Sequence, residues 1–261
     1  LDGPYDGDPC HTVHRLRTHS TPLRRFGRPF RYSSATVLTA VIVILGAYMW
    51  AGIPSAYLAG RYVKGIDIRQ YGSGTVGTAN VFVHVGRWPG VLVSLFDCLG
   101  KGALPVVVAK LLDQSLGVQA GAGVAALAAH NWSPYLRFTG GRGVATGVGV
   151  VFGLQMFPEL LVLAALMGIV GRYVFHETAF WTLLSMLALP ALALVFGREA
   201  EILYMTTAIA AILVAKRLTA NWDAPSREHP FVKVMAYRVL WDRDVREKMS
   251  WTERRPPTTR D

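Results

Sequence analysis

The chain has 261 residues, 52% of them hydrophobic and 17% charged, with a formal net charge of +10 and a mean hydropathy of +0.32. A soluble domain carries roughly 25% charged residues, so this composition excludes an ordinary water-soluble globule. The basic excess is scattered over loops and tails instead of one folded face, which argues against a nucleic-acid partner. Two cysteines, Cys10 and Cys98, with no C-x-x-C pattern, exclude a disulfide framework or a zinc ribbon.

Residues 1–35 read as a basic, disordered tail rich in Pro, Gly and Arg. Cys10, His11, His14 and His19 cluster there, but no predicted element fixes their geometry, so no metal site is expected. Residues 36–219 form the membrane domain, with apolar stretches at about 37–58, 88–112, 117–130, 143–156, 160–174, 179–196 and 202–215. A helix crosses a bilayer upright with about 20 apolar residues, and several stretches are shorter; seven spans is the expected count and six the alternative. The predicted fold is an all-α integral membrane protein of about seven transmembrane helices.

Between the first two stretches lies the glycine-rich run GSGTVGTANV, residues 72–81. A second, GGRGVATG, occupies 140–147. Closely spaced glycines let backbone N–H groups converge on one anion, so two such loops against membrane helices suggest chemistry on a phosphorylated substrate at the bilayer surface. Inside the second stretch, Asp97 and Lys101 stand at i and i+4, on one helix face, where they can pair. Charges within a span mark either a functional site or a self-neutralising pair that positions the helix.

Arg61, Lys64, Arg69 and Arg87 surround the first loop, Arg137 and Arg142 lie beside and within the second, and Arg172 stands at the end of the fifth stretch; the other connections offer only Lys110 and Arg198. The positive-inside rule therefore places both glycine loops and the C-terminus in the cytoplasm. In the cytoplasmic tail, 220–261, residues 231–251 alternate apolar and basic side chains as an amphipathic helix lying on an anionic leaflet would; a helix packed under the bundle is the alternative.

Three runs carry a resemblance: KGIDIRQYGSGTVGTANV (64–81), LFDCLGKGALPVV (95–107) and AHNWSPYLRFTGGRGVATGVGV (129–150). Together they resemble the bacterial acyl-phosphate:glycerol-3-phosphate acyltransferases, over residues from about Ala47 to Arg217 and with the motifs in that family's order. The resemblance implies a multi-pass enzyme of the bacterial plasma membrane that needs no cofactor or metal. Its partners would be acyl phosphate, glycerol 3-phosphate and membrane lipids, and its products lysophosphatidate and inorganic phosphate. Carried over residue by residue, it implies catalytic roles for Ser73, Asn80, Arg142 and Thr178. It implies substrate binding by Gly72, Gly74, Thr75, Gly77, Thr78, Asp97, Lys101, His130, Asn131, Gly140, Gly141, Gly143 and Lys216. Three positions depart from the family's first motif: Thr75, Ala79 and Val83 stand where Asn, Thr and Arg are expected. In the third motif a run of two serines is replaced by Phe175, His176, Glu177 and Thr178. A relative of the same fold that has lost catalysis and serves as a lipid-binding or assembly subunit is the alternative function.

Overall fold

The computed structural model describes Gly3 and residues 34–245 and 252–255. The Cys10, His11, His14 and His19 cluster and residues 246–251 of the expected amphipathic helix lie outside the described residues. Among the described residues every regular element is helical, and the only β feature is an isolated bridge between Ser133 and Thr139.

The first apolar stretch forms α1 (Ser34–Ala51) and α2 (Ser55–Lys64), where one helix was expected over 37–58. Pro54 causes the break, because it lacks an N–H and restricts the residue before it. Gly65, at φ 70°, closes α2, its N–H bonding Arg61 O. A short α3 (Thr78–His84) precedes α4 (Arg87–Leu95), which continues through a π-helical segment, Phe96–Ala103, into α5 (Leu104–Leu111). Pro105 explains the widened ladder: it has no N–H to return to the Lys101 carbonyl four residues back. The bundle continues with α6 (Leu116–Asn131), α7 (Val144–Gly153) and α8 (Phe157–Ala164), the last running into a second π segment, Ala165–Val174. Then come α9 (Thr178–Val195), α10 (Ala200–Thr219) and α11 (Phe231–Trp241).

Among the described residues, five helical stretches are long and apolar enough to cross a membrane: Ser34–Lys64, Arg87–Leu111, Phe157–Val174, Thr178–Val195 and Ala200–Trp222. The protein is thus a multi-pass membrane protein, but length and composition support five spans where seven were expected. The difference lies in α6 and α7, of 16 and 10 residues. Both are buried among other helices, where a short helix needs no lipid match. Leu127 of α6 and Val150 and Val151 of α7 share one core with Met186 of α9 and Ile209 and Leu213 of α10. Outward faces carry exposed Leu38, Ile42, Leu92, Leu161, Leu187 and Leu194, as lipid-facing helices do.

Glycine allows the tightest crossing, where α7 lies against the first π segment. A methyl on Gly149 would fall 1.9 Å from Cys98 O, and one on Gly102 would fall 2.3 Å from Thr146 O. Only backbone-to-backbone contact fits there, the small-residue packing that membrane helices use in place of a hydrophobic driving force. At one end of the bundle, Glu159 accepts two bonds from Arg198 (2.7 and 2.8 Å) and Lys110 donates to Gln155 (2.9 Å). Both glycine loops and the end of α10 gather at the other.

α11 packs against α9 and α10, with Val234 and Arg238 buried beneath it. It is a docked helix, the arrangement that the surface-lying expectation had set aside. It ends at Trp241 because Asp242 turns left-handed, at φ 58°.

Candidate active site

Asn80 organises the first glycine loop. Its buried amide donates to Ile68 O (3.1 Å), Tyr71 O (2.9 Å) and Thr75 O (3.1 Å), drawing three turns of loop onto α3. Gly72 and Gly74 adopt φ 54° and 70°, which side chains disfavour. Ser73 Oγ and Thr75 Oγ1 lie 2.7 Å apart at the rim, and Gly77 and Thr78 follow at the start of α3. Just upstream, Asp67 caps the short helix Ile68–Gln70 and grips Arg69 (2.6 Å). That guanidinium holds the Asp67 carboxyl below its usual range.

The second loop is locked into the bundle. Gly140 N–H donates to Asn221 Oδ1 (3.0 Å) and Gly140 O accepts from Asn221 Nδ2 (3.2 Å). Gly141 N–H donates to His130 O (3.1 Å). A methyl on Gly140 or Gly141 would fall 2.3 Å from His130 O or 2.2 Å from His130 Nε2, and Gly143 sits at φ 74° against Asn131. Fully buried Lys216 donates to Asn131 O and to Asn221 Oδ1 (2.6 Å) beneath the loop, with its ammonium over the Trp132 ring. Ala220, Asn221 and Trp222 all take positive φ (41°, 60° and 72°). The strain of three such residues is held by the bonds of Asn221 and by Trp222 Nε1–H to Phe138 O (3.1 Å).

The loops meet where Val76 N–H donates to Gly140 O (3.2 Å). Close to this junction lies the intramembrane pair: Lys101 Nζ stands 2.7 Å from Asp97 Oδ1. Ser55 Oγ accepts from Lys101 (2.8 Å) and donates to Asp97 (2.7 Å). His130 Nδ1 is 3.8 Å from the same carboxylate, and a small cavity is lined by Lys101, His130, Val76 and Gly140 together. Several buried polar atoms here have no protein partner: His130 Nδ1, both side-chain ends of Asn131, Trp132 Nε1 and Thr146 Oγ1. Such atoms are uncommon in folded proteins, and here they crowd beneath the glycine junction.

The structure therefore gathers Asn80, Gly72, Ser73, Gly74, Thr75, Gly77, Gly140, Gly141, Gly143, His130, Asn131, Asp97, Lys101 and Lys216 at one end of the bundle. The simple picture of loop amides all free for an anion does not hold. The N–H groups of Gly72, Gly74, Val76, Gly140 and Gly141 are committed to protein acceptors. What remains includes the first N–H groups of α7, which have no intrahelical acceptor, beside the Arg142 guanidinium. Thr178 opens α9, whose Ala179 O accepts from buried Arg217 (2.7 Å).

Four contacts come from residues that the sequence reading did not place at the site. Asp242 pairs with Arg142 (2.7 Å), and Arg243 with Glu177 (3.3 Å). Arg254 bonds Gly72, and Thr252 O accepts from His84 Nε2–H (2.9 Å). That last bond commits His84 Nε2 to the C-terminal segment. These residues lie more than 60 positions from their partners, so no local pattern announces them.

The family model described as Glycerol-3-phosphate acyltransferase matches residues 41–224. A glycerol-3-phosphate acyltransferase of Parasynechococcus marenigrum is 37% identical over 185 residues, covering 71% of this chain and 85% of that protein. Glycerol-3-phosphate acyltransferase 5 of Dehalococcoides mccartyi is 34% identical over 223 residues, covering 83% and 94%. A crystal structure of PlsY (YgiH), an integral membrane glycerol 3-phosphate acyltransferase, in its glycerol 3-phosphate form, matches with a TM-score of 0.61 at 26% identity. It covers 69% of this chain and 88% of that one. The lysophosphatidic acid form of the same protein matches with a TM-score of 0.60.

Proposed function

This chain belongs to the glycerol-3-phosphate acyltransferase family, and from that premise we propose how its site performs acyl transfer. The acyl donor is an acyl phosphate and the acceptor is glycerol 3-phosphate. The acceptor hydroxyl oxygen bonds to the acyl carbonyl carbon, the bond from that carbon to the phosphate oxygen breaks, and the hydroxyl proton leaves on the phosphate. Lysophosphatidate and inorganic phosphate result. An acyl phosphate is already activated, so no covalent enzyme intermediate is required. The protein must hold two anionic substrates in line and stabilise the departing phosphate.

The observation that carries this reading is the crowding of Lys101, Lys216, Arg142 and orphaned buried polar atoms around the glycine junction. In this reading Arg142 and the first N–H groups of α7 meet the departing phosphate. Lys101, oriented by Asp97, supplies positive charge from the membrane side. Asn80 and Ser73 shape the first loop around the acceptor, and Thr178 offers a hydroxyl at the start of α9. The basic connections at this end support its placement on the cytoplasmic face of a bacterial plasma membrane, where water-soluble glycerol 3-phosphate can enter while the acyl chain stays in lipid.

The test is purified protein incubated with palmitoyl phosphate and labelled glycerol 3-phosphate, without coenzyme A or carrier protein. Labelled lysophosphatidate is the expected product. A well-folded protein that makes none under these conditions, but does so from acyl-coenzyme A, overturns the donor assignment.

A further inference from the structure

The helix α11 and the turn that follows it lie beyond the residues 41–224 matched by the family model. That turn, residues 242–244, reads Asp-Arg-Asp, and its side chains reach three parts of the molecule. Asp242 stands 2.7 Å from Arg142 of the second glycine loop, and Arg243 donates to Glu177 ahead of α9 (3.3 Å). Asp244 is held by Arg238 of α11 itself (2.6 and 2.9 Å). Asp244 and Val245 also border a cleft of about 930 Å3 that opens beside Gly72, Ser73 and Gly74 of the first loop.

The turn is anchored independently of the loops it reaches. Buried Arg238 donates to Leu218 O (3.2 Å), Asp223 O (3.0 Å) and Ala224 O (3.2 Å), tying α11 to the end of α10. Buried Arg217 strengthens the joint by donating to Val239 O (2.6 Å). Asp242, at φ 58° and ψ 37°, donates its own N–H to Arg238 O (3.1 Å). Its backbone is therefore set by α11 and not by its pair with Arg142. Arg142 is held at two points: Nη1 donates to Lys216 O (3.1 Å), and Nε faces Asp242 Oδ1 as a charge contact without hydrogen-bond alignment. Two anchors fix the plane of a guanidinium, and a fixed plane is what bidentate contact with a phosphate needs. Lys216 and Arg217 lie within electrostatic reach of both Arg142 and Asp242, with Asp223 also in reach of Lys216. Three cations against those two carboxylates keep the group net positive, so the pair orients Arg142 and still leaves charge for an anion.

We propose that Asp242 is a positioning residue for acyl transfer: from the turn after α11 it holds the Arg142 guanidinium in the plane in which it meets the departing phosphate. Arg243 extends the clamp to the segment that delivers Thr178, so one turn outside the three motifs sets two motif loops relative to each other. The proposal rests on the acyltransferase reading for the identity of the phosphate, and on the geometry for the dependence of Arg142 on Asp242.

Asp242→Asn suits the test, because Asn accepts the left-handed conformation as Asp does while giving up the charge that holds Arg142. The full chain in detergent is assayed for turnover and, separately, for binding of inorganic phosphate by calorimetry. Wild type, Asp242→Asn, Arg142→Gln and the double variant are compared. Asp242→Asn is expected to lower kcat by about five-fold or more, with KM for glycerol 3-phosphate moving by less than about two-fold. Phosphate binding should weaken by about three-fold or more, whereas removing a carboxylate beside an anion would by charge alone strengthen it. Neither change should appear where Arg142 is already Gln, the mark of a residue that acts through another. The melting temperature should move by less than about 3 °C, since a partly exposed ion pair contributes little to folding. Unchanged or tighter phosphate binding in Asp242→Asn overturns the proposal, as does an equal loss of turnover in the Arg142→Gln background. A melting temperature that falls well beyond that margin makes the pair a tie for the fold and overturns it too. If the wild type makes no lysophosphatidate, yet phosphate binding responds to Asp242→Asn only where Arg142 is present, the positioning role stands and the acyltransferase reading falls.

Discussion

The two glycine loops are similar in composition, and within them crowded glycines (Gly72, Gly140, Gly141) stand beside open ones (Gly77, Gly147). In the second loop, a methyl on Gly140 would fall 2.3 Å from one backbone carbonyl and 2.6 Å from another. In the first, a methyl on Gly72 would also clash, 2.5 Å from Asn80 Oδ1 and 2.8 Å from Thr252 O, whereas one on Gly77 would meet nothing closer than Gly141 Cα at 3.9 Å. The second loop is a joint of the membrane bundle, clamped between the end of α6 and the end of α10. The first faces the open cleft and takes its shape from Asn80. A glycine-rich motif can thus mark close packing as readily as ligand contact, and only the neighbours of each glycine tell which.

The largest effect is expected at the joint. Gly140→Ala forces carbonyls of α6 away from the loop and should destabilise the protein by about 3 kcal/mol or more, at or beyond the usual range for overpacking. Thermal unfolding in detergent would show it as a clear drop in melting temperature. A melting temperature equal to wild type, with activity lost, would make the second loop a ligand loop like the first and dissolve the distinction.

Lys216→Met tests the same joint from below. It removes two donor contacts, to Asn131 O and Asn221 Oδ1, and leaves those buried acceptors short of partners, a cost of about 1–3 kcal/mol. Lower stability and lower turnover should appear together. Retained stability with a raised KM for a phosphorylated substrate would move Lys216 from joint to ligand.

Arg142 sits where the two roles touch. It is half-buried, donating to Lys216 O (3.1 Å) and pairing with Asp242. Arg142→Gln should lower turnover by about ten-fold, the loss expected for one transition-state interaction of roughly 1.4 kcal/mol. A partly exposed ion pair contributes little to folding, so melting should shift less than for Gly140→Ala. Equal turnover in Arg142→Gln would leave the guanidinium a tie between the second loop and the C-terminal helix.

Much of this arrangement was legible from the sequence, and what was not has physical reasons. α9 spans Thr178–Val195 against an expected 179–196, because an unbroken apolar run in lipid has few ways to fold. α10 runs past the apolar stretch ending at 215 to Thr219, since Lys216 and Arg217 interrupt the apolar run yet are buried and hydrogen-bonded within the protein. The pairing of Asp97 with Lys101 followed from helical spacing alone, while Ser55, which bridges them, lies 42 residues away from Asp97 and gives no local sign. The same holds for Asp242 and Arg254. Periodicity reports which face of a helix is apolar; it does not report which distant loop a polar side chain will reach.

The smallest effect is expected at Gly77, and it sharpens the comparison most. Gly77 has φ −142° and ψ 165°, an extended conformation that alanine adopts without strain. With ordinary van der Waals space around the added methyl, Gly77→Ala should change stability by less than about 0.5 kcal/mol, the usual range for an uncrowded substitution. If substrate phosphate approaches the backbone here, the methyl stands in its way, and KM for glycerol 3-phosphate should rise by about three- to five-fold with no change in melting temperature. An unchanged KM would withdraw Gly77 from the binding set and confine ligand contact in the first loop to Gly72, Ser73 and Gly74, the three residues of that run that line the cleft. Either result separates glycines kept for a ligand from glycines kept for a neighbouring backbone, which the Gly140 variant cannot do because its fold fails first.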